Sequence, residues 1–141
     1  MVVYCAIPFR GDKSYEKYFG EIIDHIKSLK HTPLCEHNAD FKPAAPLRDS
    51  EIFTRDLKWL DKSKVLIAEV SGASTGVGFE ISYALYKKKI PVLAIYNNEV
   101  KSVSAMINGC NSDLLTVKGY DNSNDLKKII SGFLKKMNEE V

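Results

Sequence analysis

The apolar run Val65-Leu66-Ile67-Ala68 leads through Glu69-Val70 into the low-bulk segment Ser71-Gly72-Ala73-Ser74-Thr75-Gly76-Val77-Gly78-Phe79-Glu80, and this junction constrains the chain most. Four apolar residues without alternation fit a strand buried on both faces, as in a parallel sheet. Val77, Ile81, Ala84 and Leu85 then recur at helical spacing, so the strand passes through a bend into a helix. Gly76 and Gly78 have no Cβ, so a ligand can approach the backbone there, and the free N–H groups of a helix start favour an anion. Glu80 lies about one turn into that helix, where a carboxylate reaches the crevice beyond the strand ends of an open α/β sheet.

The rest of the chain repeats this alternation. Met1 to Ile7 reads as a first strand, and Tyr15, Tyr18, Phe19, Ile22, Ile23, Ile26 and Leu29 mark an amphipathic helix. A short strand is expected from Thr32 to Glu36, then a long loop from His37 to Asp49 carrying Pro43 and Pro46, for which a lid is one role. A helix opening at Ser50 turns Phe53, Leu57 and Leu60 to the core and ends at Asp61-Lys62-Ser63-Lys64. Further strands are expected at Ile90–Tyr96 and Leu114–Lys118, a short helix at Ser102–Asn108 closed by Gly109, and a last helix through Leu126, Ile130, Phe133 and Met137. The order βαβαβαβαβα predicts an α/β fold, a single doubly wound domain of flavodoxin or Rossmann type over residues 1–141. Its five-stranded parallel sheet is flanked by helices and joined by right-handed crossovers.

A chain of 141 residues fits one such domain. The net charge of +2 implies no nucleic-acid partner, and the apolar start lacks the basic leader of a signal peptide and the length of a membrane span. Cys5, Cys35 and Cys110 are odd in number and widely spaced, which fits a reducing, cytoplasmic setting and gives neither a disulfide framework nor a metal site. His25, His31 and His37 lack ligand spacing, and Gly76-Val77-Gly78 has no third glycine where a dinucleotide fingerprint needs one. No metal and no cofactor are expected.

Two carboxylates are the candidate chemistry. Asp56 shares a helix stripe with Ile52 and Trp59, and partial burial there favours its protonated form. One protonated and one ionised carboxyl would let Asp56 donate a proton while Glu80 attacks or stabilises a cation. The alternative is that Asp56 pairs with Arg55 or Lys58 and Glu80 with nearby lysines. Glu69, at the end of its strand, competes with Glu80 but is also placed to accept hydrogen bonds from the bend. Ser74 and Thr75 suit helix caps, and Arg10 with Gly11 ends the first strand where a guanidinium and open backbone could hold a phosphate.

Tyr4…Phe9-Arg10-Gly11, Arg55-Asp56-Leu57-Lys58-Trp59-Leu60, Ala68-Glu69-Val70 with Ser74-Thr75-Gly76-Val77-Gly78-Phe79-Glu80, and Val103-Ser104-Ala105-Met106-Ile107 together resemble the 2′-deoxynucleoside 5′-monophosphate N-glycosidases of the nucleoside 2-deoxyribosyltransferase superfamily. The resemblance runs over nearly the whole chain. It implies cleavage of the bond between a base and 2-deoxyribose 5-phosphate, with Glu80 as nucleophile, Asp56 as the acid that assists the leaving base, and Tyr4 orienting Glu80. Arg10, Gly11 and Ser74 match the phosphate end of the site, next to the Gly76 and Gly78 backbone. Ser104 matches a serine that reaches the phosphate from the second subunit of a homodimer. Ile7-Pro8 stands where that family has a small Gly-Ser pair, and Ala6-Ile7-Pro8-Phe9 is similar instead to the deoxyribosyltransferase branch. Base exchange is therefore one alternative, and a non-catalytic nucleotide-binding or signalling module on the same fold is another.

Overall fold

The computed structural model describes residues 1–140. Strands β1 (Val2–Ala6), β2 (Thr32–Leu34), β3 (Val65–Glu69), β4 (Val92–Asn97) and β5 (Leu115–Tyr120) form one all-parallel sheet in the order β2-β1-β3-β4-β5. Between and after them run α1 (Lys17–Ser28), α2 (Asp49–Lys62), α3 (Thr75–Ser82), α4 (Ala105–Asn108) and α5 (Ser123–Glu139). The parallel α/β architecture expected from the alternation is thus the one observed. Among the described residues no helix is long and apolar enough to cross a membrane.

Side-chain alternation along the central strands explains the two layers of helix. Val3 and Cys5 of β1, Ile67 of β3 and Ile95 of β4 face α1 and α5, meeting Ile22, Ile26, Leu126 and Ile130. Tyr4 and Ala6, one residue out of phase, join Leu66 and Ala68 against Leu60 of α2 and Val77 and Ile81 of α3. Each fully buried Ile or Leu of these layers contributes about 1.5–3 kcal/mol by leaving water. From β1 the chain steps outward to β2 and then crosses back to β3, so the winding direction reverses between β1 and β3. At such a switch point the connections leave the sheet on opposite faces, and a crevice opens at the carboxyl ends of the two strands.

Three local expectations change. Phe53 does not join the core: it is 55% exposed, because the amino-terminal half of α2 overhangs the crevice rather than the sheet. β5 continues past Lys118 to Tyr120, whose ring is fully buried against Tyr18. The short helix begins only at Ala105, with Ser104 as its cap accepting from Met106 N at 3.3 Å. Downstream of Ser82, α3 widens into π-type turns over Tyr83–Lys88 and ends at Lys89, held left-handed with φ 54°.

Candidate active site

The loops after β1 and β3 cross at the crevice in backbone contact. A Cβ on Gly11 would collide with the Ala73 carbonyl and one on Gly72 with the Asp12 carbonyl, so only glycine allows the crossing. Asp12 N donates to Ala73 O at 2.9 Å across it. Gly11 therefore serves the passage of two chains, a packing role that its place beside Arg10 did not announce. Glu69, 1% exposed, anchors the bend from below: it accepts from Ser71 N at 2.6 Å, from the Ser71 hydroxyl at 3.0 Å and from the Tyr120 hydroxyl. Ser71 Oγ in turn accepts from Asn97 N at 2.7 Å, tying the bend to β4. Ser74 caps α3, accepting from Val77 N at 3.3 Å.

Above this frame lies a cleft of about 620 Å³, lined among others by Tyr4, Arg10, Gly11, Asp56, Ser74, Gly76 and Glu80. Tyr4 points into the layer beneath α2 and α3, so its buried ring carries the hydroxyl to the cleft, where it donates to the Glu80 carboxylate. Burial pushes the Glu80 carboxyl up to about 8, whereas a donated hydrogen bond favours its ionised form. Phe53 of α2 and Phe79 of α3 meet edge to face at 6.2 Å at the cleft mouth. Arg10 is exposed and paired with Asp49 Oδ1 at 2.7 Å, an ion pair that water screens and an incoming anion can displace.

Asp56 reaches the same cleft from α2, yet its nearest charged partner is its own neighbour. Arg55 Nε donates to Asp56 Oδ1 at 3.0 Å, and Arg55 Nη2 lies 3.0 Å from Glu36 Oε1. The pairing of Asp56 with Arg55, open as an alternative on sequence grounds, is the arrangement found. The Arg55 guanidinium stacks over Trp59 at 4.5 Å, which fixes its plane. Glu36, one residue beyond Cys35 at the carboxyl end of β2, also lines the cleft. Burial first, and then the neighbouring Asp56 carboxylate, push its carboxyl up to about 7 against the opposing pull of Arg55 and Arg10. Glu36 and His37 were missed as site residues, although the carboxyl end of a parallel strand is where ligand-binding groups collect.

Two of the expected site residues lie elsewhere. Gly78 and Ser104 face a second groove of about 720 Å³ beside α4, on the far side of the bend from Glu80. Met106, 82% exposed, lies on the same groove, and Ser74 and Thr75 line both cavities. Within one chain Ser104 does not line the carboxylate cleft.

The sequence model of the nucleoside 2-deoxyribosyltransferase family matches residues 3–129. A Methanosarcina mazei protein with the provisional name 2′-deoxynucleoside 5′-phosphate N-hydrolase 1 is 36% identical over 94% of this chain and 83% of its own length. A Thermofilum pendens protein of the same provisional name is 40% identical over 77% of this chain and 78% of its own. Among solved structures, a Clostridium botulinum CMP N-glycosidase superposes with a TM-score of 0.70 over 94% of this chain and 99% of that one at 10% identity, a likeness of fold. With the family match spanning most of the sequence and the carboxylate cleft at the switch point, the chain belongs to the nucleoside 2-deoxyribosyltransferase family.

Proposed function

We propose that the protein is an enzyme that hydrolyses the N-glycosidic bond of (2′-deoxy)nucleoside 5′-monophosphates to the free base and (2-deoxy)ribose 5-phosphate. Cleavage of a nucleotide glycosidic bond is the reaction that the names of its relatives support. The observation that carries the finer reading is one cleft lined by Glu80, the Tyr4 hydroxyl bound to it, and Asp56. Glu80 attacks C1′ while the C1′–N bond breaks with its electron pair on the base, and a proton from the Asp56 side neutralises the leaving nitrogen. Water then attacks C1′ of the glycosyl-enzyme, giving up its proton to the same side as the Glu80 ester opens, the two-carboxylate logic of a retaining glycosidase. Tyr4 holds the Glu80 carboxylate toward C1′. Arg10, Ser74 and the bend around Gly11 and Gly76 receive the 5′-phosphate, Arg10 by exchanging Asp49 for it. Ser104 of a second copy completes the phosphate end in a homodimer, with Gly78 and the exposed Met106 on the joining face.

Base release from a panel of ribo- and deoxyribonucleoside monophosphates, separated by chromatography, tests this reading. Hydrolysis of at least one 5′-monophosphate, lost in Glu80→Ala, is the expected result. Turnover of none, or undiminished turnover by Glu80→Ala, overturns it. Base exchange is the second reading, favoured by Ala6-Ile7-Pro8-Phe9 and by the description of the matching family. There a second base rather than water takes the sugar, and labelled adenine entering the nucleotide pool would reveal it.

A further inference from the structure

We infer that Glu36 is a positioning residue for the acid step: its carboxyl and that of Asp56, held together by Arg55, share one proton that passes to the departing base. The inference rests on the glycosidase reading for the use of that proton, but not for the existence of the pair. Three side chains form the cluster, and all are largely buried, at 17%, 20% and 15% side-chain exposure for Glu36, Arg55 and Asp56. Arg55 satisfies one oxygen of Asp56 by hydrogen bond and one of Glu36 by charge, whereas Glu36 Oε2 is buried without a hydrogen-bond partner. A buried carboxylate oxygen left bare is costly, and a proton between two adjacent carboxyls removes the cost by turning repulsion into a hydrogen bond.

A single cation cannot neutralise two carboxylates, so the cluster is balanced when it holds one proton and carries no net charge. The groups facing Glu36 are Arg55 and Asp56 of α2, Arg10 after β1, Cys35 and His37 beside it, and Glu80 across the cleft. As the C1′–N bond breaks, the proton moves to the base nitrogen and the pair becomes a dianion. That dianion is the base that accepts the water proton in the second step, which restores the starting state. Asp56 with Arg55 alone would lack the like charge that holds the proton, so Asp56 acts as an acid through Glu36.

Infrared titration of the carboxylic C=O band tests the pair independently of turnover. In a Glu80→Gln background a protonated carboxyl should persist to near neutral pH, and adding Glu36→Gln should remove it. Glu36→Gln in the otherwise unaltered protein should lose roughly 10- to 100-fold in kcat on the fastest of dCMP, dUMP, dAMP and dGMP. It should lose less than about threefold on that nucleotide's analogue with an electron-poor base, which leaves with little need of a proton. Glu36→Asp, which keeps the titratable group, should recover part of the loss and serves as the second variant if the amide does not fold. An unchanged infrared band, or equal losses on both nucleotides, overturns the inference. A lost band in a protein that hydrolyses no nucleotide would instead overturn the glycosidase reading and leave the shared proton standing.

Discussion

Glu69 and Glu80 flank one glycine-rich bend, the first fully buried and the second half-buried, and differ in almost everything else. Glu69 closes β3 with three donated hydrogen bonds, from Ser71 N, the Ser71 hydroxyl and Tyr120, and its surroundings are protein. Glu80 accepts from Tyr4 and opens on a cleft of about 620 Å³. Burial raises both carboxyls, but at Glu69 the hydrogen bonds pull against it, whereas at Glu80 desolvation carries the shift. A carboxylate with both oxygens engaged by protein donors holds a loop. One with a lone pair facing space can form a bond.

Removing each carboxylate should have opposite effects on turnover and on stability. If Glu80 is the nucleophile proposed, Glu80→Ala is expected to lower kcat by more than about 10³-fold with the fold retained. Glu69→Gln should instead cost roughly 1–3 kcal/mol of stability by leaving donors of the bend unpaired, with kcat of the folded fraction within a fewfold of the parent. Circular dichroism melting and base-release kinetics on the same samples separate the two, and the reverse pattern would exchange their roles. Asp56→Asn comes next, losing about 10²–10⁴-fold on ordinary bases and much less where the base leaves easily.

The raised Glu80 carboxyl also has a thermodynamic signature. Its folded pKa of about 8 lies above the ordinary carboxyl range, so the folded state keeps a proton that the unfolded chain has released. The stabilisation this gives is fully present below the unfolded value and is lost as pH rises through about 8. Glu80→Gln should therefore melt higher than the parent at pH 8 and show little difference at pH 4.5, with a slope between them of at most about 1.4 kcal/mol per pH unit. The same sign predicts that Tyr4→Phe, which removes a donor to the carboxylate, moves the acid limb of kcat/KM to higher pH. The smallest effect is expected at the end of the helix, where Lys89→Gly relieves a left-handed backbone and adds about 0.5–1 kcal/mol.

The contrast between the two glutamates was partly legible beforehand. Glu69 ends an apolar run and Glu80 follows the glycines, and that order already separates a strand-end anchor from a helix-borne carboxylate. Periodicity marks which side of a helix is apolar but not what lies opposite it, so it assigns Phe53 to the core although α2 outruns the sheet and hangs it over the cleft. The cluster around Asp56 was hidden for a different reason. Residues next to each other on a helix normally diverge, yet Arg55 curls back to Asp56 because Trp59 holds its plane and Glu36 draws its other end. Glu36 lies two residues past β2, a three-residue strand whose neighbour in the sheet is known only once the order β2-β1-β3-β4-β5 is known.

On the proposed mechanism Glu80 bonds to C1′ of the sugar. Incubation with a 2-deoxy-2-fluoro nucleoside 5′-monophosphate, whose glycosyl-enzyme breaks down slowly, followed by acid quench and peptide mass spectrometry, locates that bond. We expect a fluoropentose-phosphate adduct on the peptide carrying Glu80 and none in Glu80→Gln. An adduct on Asp56, Glu36 or Glu69, or equal labelling of Glu80→Gln, would contradict it.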